Sequence, residues 1–282
     1  MDFSILCPSR GRPENLKRLI ESIRKTASNI QAIEILVYLD DDDSTVDESD
    51  FEDYSNVKFF RGRRVWMSNA QNFLYCKSRG EILMACADDF VFRTEGWDLE
   101  IKREFEKSHD KIQLVFGNDL GIHAGKIPTH FFLHKTYPEA LGTWVMPGRA
   151  SLWDLWHYET SKAINRITYR DDLVIEHLNF RQTKSPEVIF DQTTRDVTST
   201  QYMFRPKLTY EKLYRERRID TLLLAEKAGI KSPIQARYFL SHGLRYFLRS
   251  KLSRESGFRL LSMSNAELIT LPLQRIRNHF LN

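Results

Sequence analysis

Through its first 120 residues the chain alternates short apolar runs with amphipathic stretches. Residues 3–7 (FSILC) read as a buried strand, followed by a polar loop, Pro8-Ser9-Arg10-Gly11-Arg12. Pro13 suits the first turn of a helix, where its missing N–H has no partner to lose. Leu16, Leu19, Ile20 and Ile23 then keep helical spacing. Residues 33–39 (IEILVYL) form a second buried strand that ends in four acids at 40–43. A third strand is expected at 57–60 (VKFF). A helix follows over 68–79, opened by Ser68 and Gln71 at capping-box spacing. Residues 81–87 (EILMACA) read as a fourth strand stopping at Asp88-Asp89, 97–107 as an amphipathic helix, and 112–116 (IQLVF) as another strand. Strand, helix, strand implies right-handed parallel crossovers. Its repetition predicts an α/β fold, a doubly wound and mostly parallel sheet flanked by helices.

Beyond residue 120 the pattern loosens. A strand at 130–134 (HFFLH) leads into a short helix ending near Gly142. Residues 151–165 read as a helix, and 172–178 as a strand that carries Glu176 and His177. From 207 onward the chain reads as helical and basic, broken by Pro233 and Pro272. The expected division is therefore a binding and catalytic domain over 1–206 and a basic helical C-terminal region over 207–282. Charge follows the same division. Residues 207–282 hold 15 Lys and Arg against 6 Asp and Glu, a balance of +9, whereas 1–206 hold 27 against 32, a balance of −5. A basic region attached to an acidic body suits an anionic partner such as nucleic acid or a membrane surface, or else is a solvated helical face.

The 41% hydrophobic content is enough for a core. Three cysteines, Cys7, Cys76 and Cys86, make no even disulfide framework and no CxxC pair, which fits a reduced, cytoplasmic compartment. The first residues lack a charged leader before an apolar stretch of secretory length. No run of 18 apolar residues is present, so no transmembrane segment is expected.

In a parallel α/β sheet, ligands bind beyond the carboxyl ends of the strands. The polar segments there are 8–12, 40–43, 61–72 and Asp88-Asp89. Two adjacent carboxylates after a buried strand repel each other unless a cation lies between them. A divalent ion that also takes diphosphate oxygens resolves the repulsion; a plain surface turn is the other reading. The acids at 40–43 are either a solvated loop or offer one carboxylate, Asp40 nearest the strand, to a ribose hydroxyl or a base imide. Arg10 and Arg12 open a helix, whose N-terminus favours anions, and guanidinium groups grip phosphate in bidentate fashion; as surface arginines they need no role. His177 is structural unless it joins the Asp pair as a further metal ligand. Asp154 lies in SLWDLWHYE between Trp153 and Trp156. Desolvation there raises a carboxyl pKa and suits it to general-base work, unless it is a helix-surface acid beside two core tryptophans.

Taken in order, SILCPSRGRP, LDDDDS, SNAQNFLYCKSRGEILMACADD followed by GWD at 96–98, THFFLHKTYPEALG, the WDLW helix and EHL resemble the GT-A (Rossmann-like) fold of family-2-like glycosyltransferases. Among these the chain resembles a branch common in bacteriophage genomes. The likeness covers residues 3–195. It implies that Pro8, Ser9, Arg10 and Arg12 cradle the donor nucleotide and that Asp40 meets uracil or ribose. Asn69 and Asn72 take the place of a nucleotide-contacting Arg-Asn region. Asp88 and Asp89 stand for the DxD motif, Asp88 toward the sugar diphosphate and Asp89 on the metal, with His177 completing the metal shell. Asp154 falls where an inverting enzyme keeps its acceptor base. A UDP-sugar donor and Mn2+ or Mg2+ are implied with them. Two positions depart from the pattern: Cys86 replaces the first acid of the usual LDADD stretch, and Gln71 stands where Arg is frequent.

The activity expected from this resemblance is metal-dependent transfer of a sugar from a UDP-sugar to an acceptor hydroxyl. The acceptor is either a hydroxymethylated pyrimidine in phage DNA, held through the basic C-terminal region, or a cell-surface glycan or lipid-linked acceptor at a membrane. The segment 236–252, which mixes aromatic, leucine and basic residues, suits the second. A non-catalytic sugar-nucleotide-binding protein on the same fold is the alternative of another class.

Overall fold

Strand β1 (Phe3–Ser9) is buried except at Pro8, and β2 (Ile33–Asp40) is buried throughout. Such fully apolar strands belong in the middle of a sheet covered on both faces. A computed structural model of the chain describes residues 1–65, 67–121, 124–145, 152–178 and 213–231. The further strands are β3 (Val57–Gly62), β4 (Ile82–Ala85), β5 (Phe90–Phe92), β6 (Leu114–Asn118), β7 (Phe131–His134) and β8 (Ile167–His177). The helices are α1 (Pro13–Thr26), α2 (Met67–Lys77), α3 (Trp97–Glu106), α4 (Thr136–Leu141), α5 (Trp153–Ala163) and, near the C-terminus, α6 (Tyr214–Lys227).

The eight strands run in the order β3-β2-β1-β4-β7-β6-β8-β5. β3, β2, β1 and β4 are parallel, joined by the expected crossovers. The other half is mixed: β7 is antiparallel to β4 and β6, β8 is parallel to β6, and β5 is antiparallel to β8. The sheet is thus less parallel than the sequence pattern predicts. A parallel pair needs a long crossover, usually a helix. Among the described residues no helix separates β6 from β7, and they pair directly as antiparallel neighbours, Leu114 opposite Leu133.

Side chains alternate between two cores. Ile5 and Cys7 of β1 and Ile35, Val37 and Leu39 of β2 face α1 and α3, where Leu16, Leu19, Ile20, Ile23, Trp97, Ile101 and Phe105 cover them. Leu6 and Leu36 face the other way, toward Ala70 and Leu74 of α2, Tyr137 of α4, and Leu224 and Ala225 of α6. Each fully buried aliphatic or aromatic side chain is worth about 1.5–3 kcal/mol. The start of the basic region is therefore part of this body. Arg217 of α6 is fully buried, ion-paired to Glu159 of α5 at 3.1 Å, with its guanidinium over the Trp156 ring. Trp156 Nε1 donates to Asp220 at 2.7 Å. Residues 232–282, with Pro233, Pro272 and the segment 236–252, lie outside the described residues, as do 179–212 around the expected boundary at 206.

One glycine shapes the site. A Cβ on Gly117 would lie 2.2 Å from the Leu173 carbonyl oxygen. Only glycine allows β6 and β8 to approach this closely, and the register shifts between Gly117 and Asn118. The bulge delivers the next residue, Asp119, to the strand-end crevice.

The second core also holds His157, 2% exposed between the rings of Phe131 and Tyr137. Burial lowers its pKa from 6.5 to about 4. Between those values the unfolded chain takes up a proton that the native protein refuses, so stability falls as pH drops from 6.5 toward 4. The loss attributable to His157 is on the order of 3 kcal/mol. Chemical denaturation from pH 4.5 to 7.5 is expected to give a visibly flatter profile for His157→Phe than for wild type; parallel profiles would refute the assignment.

Candidate active site

The carboxyl ends of β1, β2 and β4 converge on one edge, and the polar loops bind each other there. Ser9, the last residue of β1, donates from Oγ to Asp88 Oδ2 at 2.7 Å, and Arg12 donates from Nη1 to Asp88 Oδ1 at 3.2 Å. Arg10 donates to Asp40 at 2.9 Å and grips Asp42 with both terminal nitrogens. Gly11 turns the chain with φ 68° and donates its N–H to Asp43 Oδ2 at 2.7 Å. Asp43 also accepts from the N–H and hydroxyl of Thr45. The four acids at 40–43 thus do different work. Asp43 ties two loops together, Asp42 and Asp40 hold Arg10, and Asp41 is exposed. Pro8 is partly exposed opposite Tyr38 of β2. Burial raises the Asp40 carboxyl above its ordinary pKa despite the Arg10 guanidinium.

Asp88 and Asp89 turn the chain between β4 and β5. Asp88 is 4% exposed. Burial lifts its pKa from 3.8 to about 6, opposed by Arg12 and reinforced by the Asp89 charge. Asp89 Oδ1 lies 3.4 Å from His177 Nε2. The backbone makes this pairing: Phe90 stands opposite His177 in the β5–β8 ladder, and Leu178 N–H donates to the Asp89 carbonyl. Burial disfavours both charges, yet each stabilises the other, so the His177 pKa is raised and that of Asp89 is lowered.

Asp154 occupies the first turn of α5, partly exposed, and its Oδ1 accepts from Leu155 N–H at 2.8 Å. Burial raises its pKa, and it lies within the electrostatic reach of His177. Ser9, Arg12 and Asp88 therefore meet at one place with Arg10 and Asp40 alongside, the Asp89–His177 pair follows directly on Asp88, and Asp154 lies within electrostatic reach of His177.

The asparagines lie on α2. Asn69 is half-buried there. Asn72 donates to the Val145 carbonyl at 2.7 Å and accepts from Val145 N–H and Thr143 Oγ1. Gln71 does not form the expected capping box. It is fully buried, and its amide nitrogen donates to the carbonyls of Leu6 and Cys86. The reason is orientation: α2 starts at Met67, one residue early, and turns Gln71 toward the sheet.

Two further residues, absent from the sequence reading, belong to the site. Asp119 is 2% exposed, its carboxylate accepts from Gly121 N–H and Thr129 Oγ1, and its carbonyl accepts from His177 N–H. His130 is fully buried, accepts from Gly117 N–H, and is held neutral by burial with its pKa lowered to about 3. Asp119 was open to discovery as another acid following a predicted strand, 112–116. His130 offered no signal beyond its residue type.

Among the described residues no group of three or more His, Cys, Asp or Glu side chains is gathered to hold a metal ion. The pair Asp89 and His177 fits a narrower role. Asp89 Oδ1 and His177 Nδ1 are buried without a hydrogen-bond partner among the described residues. Asp89 Oδ1 and His177 Nε2, 3.4 Å apart, are the pair that would hold an ion. Magnesium-type sites commonly take one or two protein ligands and fill the remainder from substrate phosphate and water.

At the level of sequence no family model and no curated protein matches the chain. Solved structures do. S. aureus TarS 1-349 matches with a TM-score of 0.57 at 13% identity over 95% of this chain and 77% of that one. The same protein in complex with UDP-GlcNAc matches at 0.58 and 12% identity over the same shares. Against the longer S. aureus TarS structure the match spans 46% of that chain. The mannosyltransferase PcManGT from Pyrobaculum calidifontis, in complex with GDP-Man and Mn2+, matches with a TM-score of 0.50 at 12% identity over 98% of this chain and 87% of that one. The likeness is one of fold: this is a GT-A-like α/β domain, a mixed sheet flanked by helices. No described helix is long and apolar enough to cross a membrane.

Proposed function

We propose that this chain is a glycosyltransferase that moves a sugar from a UDP-sugar to an acceptor hydroxyl with inversion at the anomeric carbon. One observation carries the reading. Asp88 joins the basic loop through Arg12 at the carboxyl ends of the strands, Asp89 pairs with His177, and Asp154 lies within electrostatic reach of that histidine. The fold supports it, since structural neighbours hold UDP-GlcNAc or GDP-Man in the same architecture.

In this reading Pro8, Ser9, Arg10 and Arg12 line the nucleotide, with Asp40 and Asn69 at its base and ribose end. Arg12 faces the diphosphate from its contact with Asp88. Asp89 and His177 would hold Mn2+ or Mg2+, which when bound neutralises charge on the leaving diphosphate. Asp154 takes the proton from the acceptor hydroxyl. The acceptor oxygen bonds to the anomeric carbon as the bond to the diphosphate breaks, and the electron pair leaves with the nucleotide. Attack opposite the leaving group inverts the centre.

For the acceptor we propose hydroxymethylated pyrimidine DNA, as in phage genomes, on the strength of the +9 balance of residues 207–282. Arg217 is excluded from phosphate contact by its burial against Glu159. The test is nucleoside diphosphate release from a panel of UDP- and GDP-sugars with Mn2+ or Mg2+, with and without hydroxymethylcytosine DNA. Release from a UDP-sugar, stimulated by the DNA, is the expected result. Stimulation by a glycan or lipid-linked acceptor instead would move the acceptor to the cell surface. Tight donor binding with no release under any condition would leave a sugar-nucleotide-binding protein.

A further inference from the structure

We propose that Gln71 and Asn72 are positioning residues for the transfer step, which fix α5, and with it Asp154, relative to the floor of the donor crevice. This rests on the donor and base assignments above. Gln71 is fully buried and its amide joins three separate pieces of chain. Its nitrogen donates to the Leu6 carbonyl at 2.9 Å and to the Cys86 carbonyl at 3.0 Å, and its oxygen accepts from Trp144 Nε1 at 3.0 Å. Those two carbonyls mark the place where β1 and β4 stop pairing. Leu6 opposite Ala85 is the last pair of that ladder, and Cys86 N–H still donates to the Leu6 carbonyl. Three residues on lies Ser9, and two residues on lies Asp88. Gln71 therefore fastens the strand ends from which the donor-side groups project.

Its other end reaches the helix of the base. The Trp144 indole is fully buried, stacks on Tyr75 of α2, and packs at 6.2 Å against the ring of His157, three residues along α5 from Asp154. Asn72, the next residue, clips the same strip from the side through Val145 N–H, the Val145 carbonyl and Thr143 Oγ1. An apolar side chain would fill the Gln71 position without the cost of desolvating an amide. A fully satisfied polar network contributes something else, a single fixed arrangement of the parts it joins. Here the parts are the donor floor and the α5 surface.

The test compares the wild type with Gln71→Met, which removes all three hydrogen bonds of the amide, and Trp144→Phe, which removes only the one from the indole; each leaves an apolar side chain in place. Hydrogen exchange over 153–163 is expected to speed up about tenfold in both variants while the β1–β2 ladder keeps its protection. With UDP-GlcNAc and GDP-mannose as probes and Mn2+ present, kcat of nucleotide release is expected to fall about 10- to 100-fold in both variants, with donor Kd within about twofold of wild type in Trp144→Phe, which keeps the bonds to the strand ends. The double variant should lose no more kcat than Gln71→Met alone, because both break the same link. Unchanged exchange across 153–163 in both variants overturns the proposal, as does a loss confined to thermal stability with kcat retained. The exchange measurement needs no donor. Wild-type silence toward both probes would count against the function proposed above, while faster α5 exchange would still uphold the brace.

Discussion

Asp154→Asn is expected to lower the turnover of sugar transfer by about 10²- to 10⁴-fold, the range that a positioned general base supplies, while donor affinity stays within about twofold. The substitution is chosen for what it preserves. Asparagine has the same shape and keeps an oxygen that can accept from Leu155 N–H, so the first turn of α5 retains its local hydrogen bond. The lost charge at the helix start costs about 0.3–1 kcal/mol, well short of unfolding a domain. What asparagine cannot do is take a proton at neutral pH. Burial raises the Asp154 pKa above that of an ordinary carboxylate, which strengthens the group as a base. Wild-type turnover should accordingly decline as the solution is acidified through that raised pKa. Steady-state kinetics with donor binding measured separately decides the matter. A variant that transfers sugar within about threefold of wild type would remove Asp154 from the chemistry.

The parallel half of the fold is legible because its strands are apolar throughout and its helices begin and end at residues with local causes. Pro13 opens α1 as expected. The mixed half is less so, and the reason is physical. β5 is a three-residue strand directly behind Asp88-Asp89, too short for any period, and it exists because β8 lies alongside it. β8 itself begins at Ile167, five residues before the expected start, and its early residues alternate apolar and polar, with Ile167 and Tyr169 against the second core, before the exposed Asp171 and Asp172, rather than forming an apolar run. Helix α5 runs from Trp153 to Ala163, close to the expected 151–165, whose first residue lies outside those described.

The site was legible as residue types at strand ends and not as pairings. Nothing local in the sequence says that Arg12 will meet Asp88 across 76 positions, or that Asp89 will meet His177 across 88; both follow from strand order and register. Those pairings change what each group can do. Asp88, expected toward the sugar diphosphate, already accepts from Ser9 and Arg12, so it orders the donor loop as much as it faces a ligand. Asn72 is committed to the 143–145 strip. Gln71 carries the same lesson. A residue read as a departure from the family pattern, and as half of a capping box, turns out to tie together the strand ends on which the site is built.

Asp89→Ala is expected to weaken donor binding in the presence of Mn2+ by on the order of 10²-fold or more and to shrink the gain in affinity that Mn2+ provides. Loss of a residue that merely orients a metal ligand costs 10- to 100-fold in affinity, and loss of a ligand costs at least as much. Asp89 is well suited to report on this. Its Oδ1 is buried 3.4 Å from His177 Nε2 and has no hydrogen-bond partner among the described residues. The Leu178 N–H contact to its backbone carbonyl survives the substitution. Removing the carboxylate also withdraws the charge that raises the His177 pKa, leaving a buried imidazole that favours the neutral form. Neutral imidazole still ligates metal, so any residual binding should be stronger toward Mn2+ than toward Mg2+, because nitrogen donors favour the transition ion. Calorimetric titration of UDP into wild type and Asp89→Ala, each with and without Mn2+, separates the outcomes. Equal affinity of the variant and wild type in the presence of Mn2+ would remove the metal from this pair, and with it the account of how the donor diphosphate is neutralised.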